Sequence, residues 1–365
     1  MKKLSFSLLA LLLCFSAWAQ DQVYYVGHSL VGLDMPFQVR FLAKQKGINN
    51  NYRNHINIGT ALKENWQDTL FNLNDVWDYD LLINFEHGSN HLADLPTISF
   101  KQIIITESVP LMGHHRDTSV KYASKFFELA HTGNPAIQSY LYATWEHADA
   151  GWATWRSSLT TLQKEWEDIA DKSATRIGDT VFVVPGNLAM MALYDSLQKG
   201  PIGDKTAISQ FFNDDIHLTF EGNYYMACLV NACVFHIDPR GTGLIGAGPY
   251  SSDTVVRNSA LRAALQVLAW QTACKYPRSS LKCSTAASIK ESKAELNFVY
   301  PNPAAGGRFT ILSDENVPYQ LMDIMGKDML QGNLVKGENF LDCSSFCSGL
   351  YVLRTKSQTH KIIIF

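Results

Sequence analysis

Val23-Tyr24-Tyr25-Val26-Gly27-His28-Ser29-Leu30 starts as an apolar run and ends in a glycine, a histidine and a serine. Read as a strand over Val23 to Val26, it presents Ser29 at its tip. Far downstream, Asp214-Asp215-Ile216-His217-Leu218-Thr219 stands immediately before a long apolar helix pattern. One turn there can present an aspartate and a histidine. Together the two segments supply a nucleophile, a base and an orienting carboxylate, the parts of acyl transfer. Alone, the first reads as an ordinary strand-end turn and the second as helix N-capping.

Outward from the first segment, strand and helix patterns alternate. Further strands are predicted over Asn54 to Ile58, Leu81 to Phe85, Gln102 to Thr106, Ser139 to Thr144 and Thr180 to Val184. Helices are predicted over Pro36 to Lys46, Ser119 to His131, Leu159 to Ala170, Ala189 to Gln198, Thr219 to Phe235 and Asn258 to Cys274. This alternation predicts βαβ units and a parallel sheet, whose reactive groups collect on loops beyond the carboxyl ends of the strands. After Tyr276 the composition changes. Arg278 to Ser292 is rich in Ser, Lys and Ala and reads as a linker. Beyond it, short strands at Phe309 to Leu312, Tyr319 to Ile324, Gly349 to Arg354 and Ile362 to Phe365 indicate a small all-β module. The expected division is a signal peptide over 1–19, an α/β domain over 20–275, a linker over 276–295 and the β module over 296–365.

The 365 residues suffice for one large domain and a small one. With 46% hydrophobic and 18% charged residues, the chain can bury a core and is not of disordered type. A net charge of -3 offers no basic stripe for nucleic acid. Lys2 and Lys3, the apolar stretch Leu8 to Phe15 and Ala17-Trp18-Ala19 form an export leader cut before Gln20. Leu13 before Cys14 argues against a lipoprotein, and no later apolar run reaches membrane-spanning length. Six cysteines follow the leader. Cys274 with Cys283 and Cys343 with Cys347 are the plausible local disulfides, while Cys228 and Cys233 share a helix and read as core. No ligand set has zinc spacing.

The Gly27-His28-Ser29-Leu30 and Asp214-x-x-His217 boxes resemble the first and last blocks of the SGNH (GDSL-type) hydrolases, over about residues 21 to 275. The resemblance implies a flavodoxin-like three-layer α/β/α sandwich and ester hydrolysis. It implies Ser29 as nucleophile, His217 as general base then acid, and Asp214 as its orienting partner. His28 departs from the usual aspartate. The family's oxyanion hole uses the serine N–H, a glycine and an asparagine. Gly59, in Asn57-Ile58-Gly59-Thr60, resembles that glycine. Asn90, in Gly88-Ser89-Asn90, resembles that asparagine, although a rival alignment puts the block at Ile105-Thr106-Glu107, which has none. A second resemblance lies in Val299-Tyr300-Pro301-Asn302-Pro303, Asp323-Ile324-Met325-Gly326-Lys327, Gly349-Leu350-Tyr351-Val352-Leu353 and Lys361. These look like the sorting domain of the type IX secretion system of Bacteroidetes, which implies secretion or display at the cell surface with that machinery as partner.

Glu107 follows an apolar strand and is a candidate for positioning substrate. Trp145, with Trp152 and Trp155, could stack on sugar rings, or pack in a lid. His114 and His115 lack a third metal ligand; His87 and His91 flank the Gly88-Ser89-Asn90 turn. The expectation is therefore an exported serine esterase without cofactor or metal, removing an acyl group such as acetyl from a carbohydrate or another extracellular ester. Two alternatives stay open: a catalytically silent carbohydrate-binding protein on the same fold, and a lipase-like esterase.

Overall fold

The structure, a computed structural model, describes residues 23–48, 50–67, 75–78, 83–86, 90–109, 115–248, 251–283, 298–300, 302, 304–313, 316–324, 326–356 and 359–364. The expected leader, His87, Gly88, Ser89, His114 and the later part of the expected linker lie outside these residues. The chain divides into two compact units, Met1–Cys283 and Ser284–Phe365.

The first unit runs β1 (Val23–Gly27), α1 (Asp34–Gln45), β2 (Tyr52–Ile56), α2 (Leu62–Gln67), β3 (Asp75–Asp78), β4 (Ile83–Glu86), α3 (His91–Asp94), β5 (Gln102–Ile105), α4 (His115–Gly133), β6 (Gln138–Tyr142), α5 (Trp152–Ile177), β7 (Val181–Val184), α6 (Gly186–Leu197), α7 (Phe220–Phe235), β8 (Ile245–Gly248), β9 (Ser251–Val255) and α8 (Ser259–Lys275). Five strands form a parallel sheet in the order β2-β1-β5-β6-β7. Every residue of β1 is buried, as a strand covered on both faces requires, and so its sequence reads as a continuous apolar run. The chain moves one way from β1 to β2 and the other way from β5 through β6 to β7. Right-handed crossovers then put α1 on one face and α4 and α5 on the other. Helices α7 and α8 join the first layer, and α2 packs on α4 in the second. The switch in direction lies between β1 and β5, and the space beyond their carboxyl ends is where sheets of this kind bind ligands.

Three sequence expectations change here. Leu81 to Phe85 reads as a strand of the alternating series, but β4 pairs antiparallel with β3 in a separate two-stranded sheet. The strand beside β1 is β5. Residues 276–283, the opening of the expected linker, pack on the first unit: the Arg278 carbonyl accepts from Val183 N–H, and Ser279 and Ser280 are buried. Cys274 and Cys283 are disulfide-bonded, whereas Cys343 and Cys347 are free thiols.

The second unit is antiparallel throughout its two sheets. Strands β10 (Phe298–Tyr300), β11 (Arg308–Ser313) and β14 (Gly337–Asp342) form one sheet; β13 (Asp328–Leu334), β12 (Val317–Asp323), β15 (Gly349–Thr355) and β16 (Thr359–Ile364) form the other. Phe309, Ile311 and Leu341 from the first share a core with Leu321, Leu353 and Ile362 from the second. Asn302 reads the backbone of the last strand, donating to the Lys361 carbonyl and accepting from Ile363 N–H. Among the described residues, no helix is long and apolar enough to cross a membrane.

Candidate active site

The turn after β1 places Ser29. Val31 N–H and Gly32 N–H both donate to the His28 carbonyl, which curls the chain back as soon as the strand ends. Gly27 is needed at the strand's last position. A Cβ there would come within 2.8 Å of both the Thr106 and Val31 side chains. His28 is buried and makes a bond at each ring nitrogen: Nε2–H donates to the Glu107 carbonyl at 2.9 Å, and Nδ1 faces Leu30 N–H at 3.4 Å. Burial pulls its pKa down, the Glu107 carbonyl acts the other way, and the nearby His217 lowers it further. His28 thus serves the loop as a neutral pin.

His217 comes from a loop closed on itself. Phe212 bridges Leu218, Asn213 N–H donates to the His217 carbonyl, and the Asn213 amide donates to the Leu218 carbonyl. Thr219 caps α7 through Gly222 N–H, so neither Asp214 nor Asp215 is needed as the cap. Asp214 folds over its own turn instead. Its Oδ1 accepts from Ile216 N–H at 2.9 Å and from His217 N–H at 2.6 Å, while Oδ2 meets His217 Nδ1 at 2.7 Å. What burial there is raises its pKa, but hydrogen bonds from the His217 N–H, the His217 ring and Ile216 N–H outweigh it and hold the carboxyl at about 2. His217 Nε2 lies 2.9 Å from Ser29 Oγ. A carboxylate, an imidazole and a hydroxyl are therefore joined by two hydrogen bonds, across 188 residues of chain.

The loop after β2 lies alongside. Asn57 N–H continues the ladder to the Gly27 carbonyl, and Gly59 has a φ of +71°, which glycine adopts without strain. The Asn57 side-chain amide is buried beside this turn, with neither polar atom partnered. Sequence reasoning passed over Asn57; its place at the end of a strand, between Gly27 and Gly59, was the available signal.

The remaining sequence candidates are held in other roles. Asn90 Oδ1 accepts from Leu92 N–H as the cap of α3. The strand before it belongs to the β3–β4 sheet, so Asn90 does not follow a strand of the central sheet. Trp145 is 0% exposed and cannot stack on a ligand. Its Nε1–H donates to the Ile216 carbonyl, and with Ala148 N–H on the Asp215 carbonyl it staples the loop after β6 to the histidine loop. Trp155 is buried as well, and its ring and that of Trp152 pack against Phe212. Glu107 is 3% exposed, with no face toward a substrate. His115 opens α4, and His91 is buried against His55, Trp66 and Phe126. Among the described residues, no three His, Cys, Asp or Glu side chains are grouped so as to hold a metal ion.

Comparison with known proteins bears on the two units separately. Residues 298–364 match the secretion system C-terminal sorting domain. The second unit is a sorting domain of that kind. No curated protein matches the chain. Among solved structures, the chain is similar to a DUF4886 family protein from Bacteroides uniformis, at 18% identity and a TM-score of 0.52 over 69% of this chain and 94% of that one. That likeness extends to the fold of the first unit. Fainter likenesses are to the lipase/acylhydrolase from Enterococcus faecalis (14% identity, TM-score 0.36, 61% of this chain and 100% of that one) and to a member of the lipolytic protein G-D-S-L family from Veillonella parvula (14%, 0.35, 59% and 99%).

Proposed function

We propose that the first unit hydrolyses carboxylic esters through an acyl-enzyme on Ser29. The observation that carries this reading is the pair of hydrogen bonds from Asp214 through His217 to Ser29. A serine hydroxyl is a poor nucleophile at neutral pH, and a base within hydrogen-bond reach is what it lacks. His217 Nε2 takes the Ser29 proton as Oγ bonds to the ester carbonyl carbon. The Asp214 carboxylate keeps the other ring proton on Nδ1 and stabilises the imidazolium that forms. The oxyanion is received by the backbone N–H groups of Ser29 and Gly59; Asn90, which follows no strand of the central sheet, is left out. The alcohol departs with the proton from His217. Water then attacks the acyl carbon, His217 taking its proton; as the bond from the acyl carbon to Ser29 Oγ breaks, His217 returns that proton to Oγ and the carboxylic acid departs.

The substrate lies outside the cell, since the sorting domain in the second unit directs export by type IX secretion, with release or attachment at the surface. The exposed large apolar side chains described in the first unit are Ile48, Ile58, Leu92, Phe220 and Leu244. They are few for a surface that must hold a lipid chain, which favours a short acyl group such as acetyl. Trp145 and Trp155 are buried, which leaves the half-buried Trp152 as the one tryptophan of the three with a face for a sugar ring.

The test is a fluorophosphonate probe on the purified protein. Wild type is labelled and Ser29→Ala is not. An unlabelled wild type would leave a binding protein on this fold, and labelling that survives the substitution would move the nucleophile elsewhere. A p-nitrophenyl ester series from acetyl to long chains is expected to favour the short end; a long-chain preference returns the lipase-like reading.

A further inference from the structure

Glu107 stands just beyond the carboxyl end of β5, the strand beside β1 at the direction switch, and its buried carboxylate collects several donors. Its Oε1 accepts from Leu62 N–H at 2.9 Å and from Ser108 N–H at 2.8 Å. The Ser119 hydroxyl, on α4, hydrogen-bonds the same carboxylate. Its backbone carbonyl takes Nε2–H of His28. Four pieces of chain therefore meet at one buried residue: the Ser29 turn through His28, the first residue of α2 through Leu62, the segment after β5 through Ser108, and α4 through Ser119.

The loop between β2 and α2 carries Gly59, and it is held at both ends. At one end Asn57 N–H donates to the Gly27 carbonyl; at the other, Leu62 N–H donates to Glu107. Inside it, Thr60 Oγ1–H donates to the Asn57 carbonyl, and the Asn65 amide donates to Thr60 Oγ1. The first contact fixes the loop to β1, and the second fixes it to the residue that also pins His28. Without the second, no polar anchor among the described residues ties the six-residue α2 and the end of the loop to the serine turn. A buried carboxylate is retained only where donors meet it. Burial pushes the Glu107 pKa up, while the Leu62, Ser108 and Ser119 donors pull it back.

We infer that Glu107 is a positioning residue that locks the Gly59 loop against the Ser29 turn, setting the spacing between the oxyanion donors and the nucleophile. It touches no substrate. It acts by holding two backbone segments that do, so its loss lowers the rate of bond-making and leaves ground-state binding in place. The kinetic half of this inference rests on the Ser29 reading; the structural half does not.

The experiment compares Glu107→Ala and Glu107→Gln with wild type. Three quantities are measured: amide hydrogen exchange at Leu62 and Ser108, the fluorophosphonate labelling rate, and kcat and KM on p-nitrophenyl acetate. In wild type the Leu62 amide is protected. In Glu107→Ala that protection is lost, kcat falls about 10²-fold, and KM stays within about twofold. Glu107→Gln keeps an acceptor for Leu62 and Ser108, so it recovers kcat to within about tenfold and keeps the protection. An Ala variant that labels at the wild-type rate overturns the inference. So does a rise in KM with kcat intact, which would make Glu107 a substrate contact. Should the Ala variant not fold, the Gln variant decides: a loss of kcat beyond 10³-fold with Leu62 still protected overturns it, and near-normal kcat with protection supports it. If wild type itself is not labelled, the hydrolase reading falls, and the lock is judged by Leu62 exchange alone.

Discussion

Asp214 serves its histidine because the same carboxylate builds the turn. One oxygen collects the two backbone N–H groups of Ile216 and His217, and the other is left pointing at the ring. Asp214→Asn keeps the shape but offers the ring a donor in place of an acceptor, and the tautomer reverses. We expect kcat to fall by on the order of 10³–10⁴-fold with the fold intact by circular dichroism; a loss under tenfold would mean that Asp214 does not orient His217. Asp34 gives an opposite case. Burial raises its pKa to about 6, and Gly248 leaves the room it needs, since a Cβ there would stand 2.0 Å from its Oδ1. The folded state holds this proton more tightly than the unfolded chain does. Stability attributable to the group is therefore full below its unfolded pKa and lost as pH rises through 6. Asp34→Asn should raise Tm at pH 8, by about 1–2 kcal/mol in stability after allowance for half-burial, and leave it unchanged at pH 4. Equal shifts at both pH values would refute the account. Ser29, Asp214 and His217 were visible as candidates in the sequence because each box carries its chemistry within six residues. The surroundings of Glu107 and Trp145 were not, since burial decides what a carboxylate or an indole can touch and no local pattern encodes it.

At the scale of elements, α7 decides where the histidine loop rests. Gly222 lies in its first turn, against the Phe211 carbonyl, and an added Cβ would stand 2.7 Å from that oxygen. The Phe211 carbonyl also accepts from Thr219 N–H. Gly222→Ala must push the helix away from the 211–219 segment. A cost of about 1–3 kcal/mol is expected, together with a drop in kcat larger than in an Ala substitution on the exposed face of α5; denaturant unfolding and steady-state kinetics check the two parts. The hydropathy pattern located the principal helices and the five central strands, because buried parallel strands and packed helices must carry apolar residues at fixed spacing. It missed β3, whose Asp75-Val76-Trp77-Asp78 is too short and too charged at its ends to show a period, and hence misassigned the partner of β4. It also missed the β8–β9 hairpin, where glycines replace the apolar signal.

At the scale of the whole molecule, each unit has its own buried core, and one disulfide closes the end of the first. The bridge spans nine residues, a loop whose closure contributes about 2–3 kcal/mol through the unfolded chain. Calorimetry should resolve two transitions. Reductant should lower the first unit's and leave the second's, since Cys343 and Cys347 are unpaired. A shift of the second transition would place a bridge there. The division into two units could be read from composition, but its boundary could not: Ser279 and Ser280 look like linker residues and are hydrogen-bonded inside the first unit.

The 188 residues that separate Ser29 from His217 also set a timetable. At ordinary synthesis rates, about 10–40 s pass between the emergence of one and the other. Throughout that interval, and for as long as the polypeptide stays threaded and unfolded, its hydroxyl has no proton acceptor and is no more dangerous to a cell's own metabolites than any other serine. On the proposed reading of Ser29, reactivity arrives only with tertiary structure, so a chain kept extended during export stays harmless until it folds.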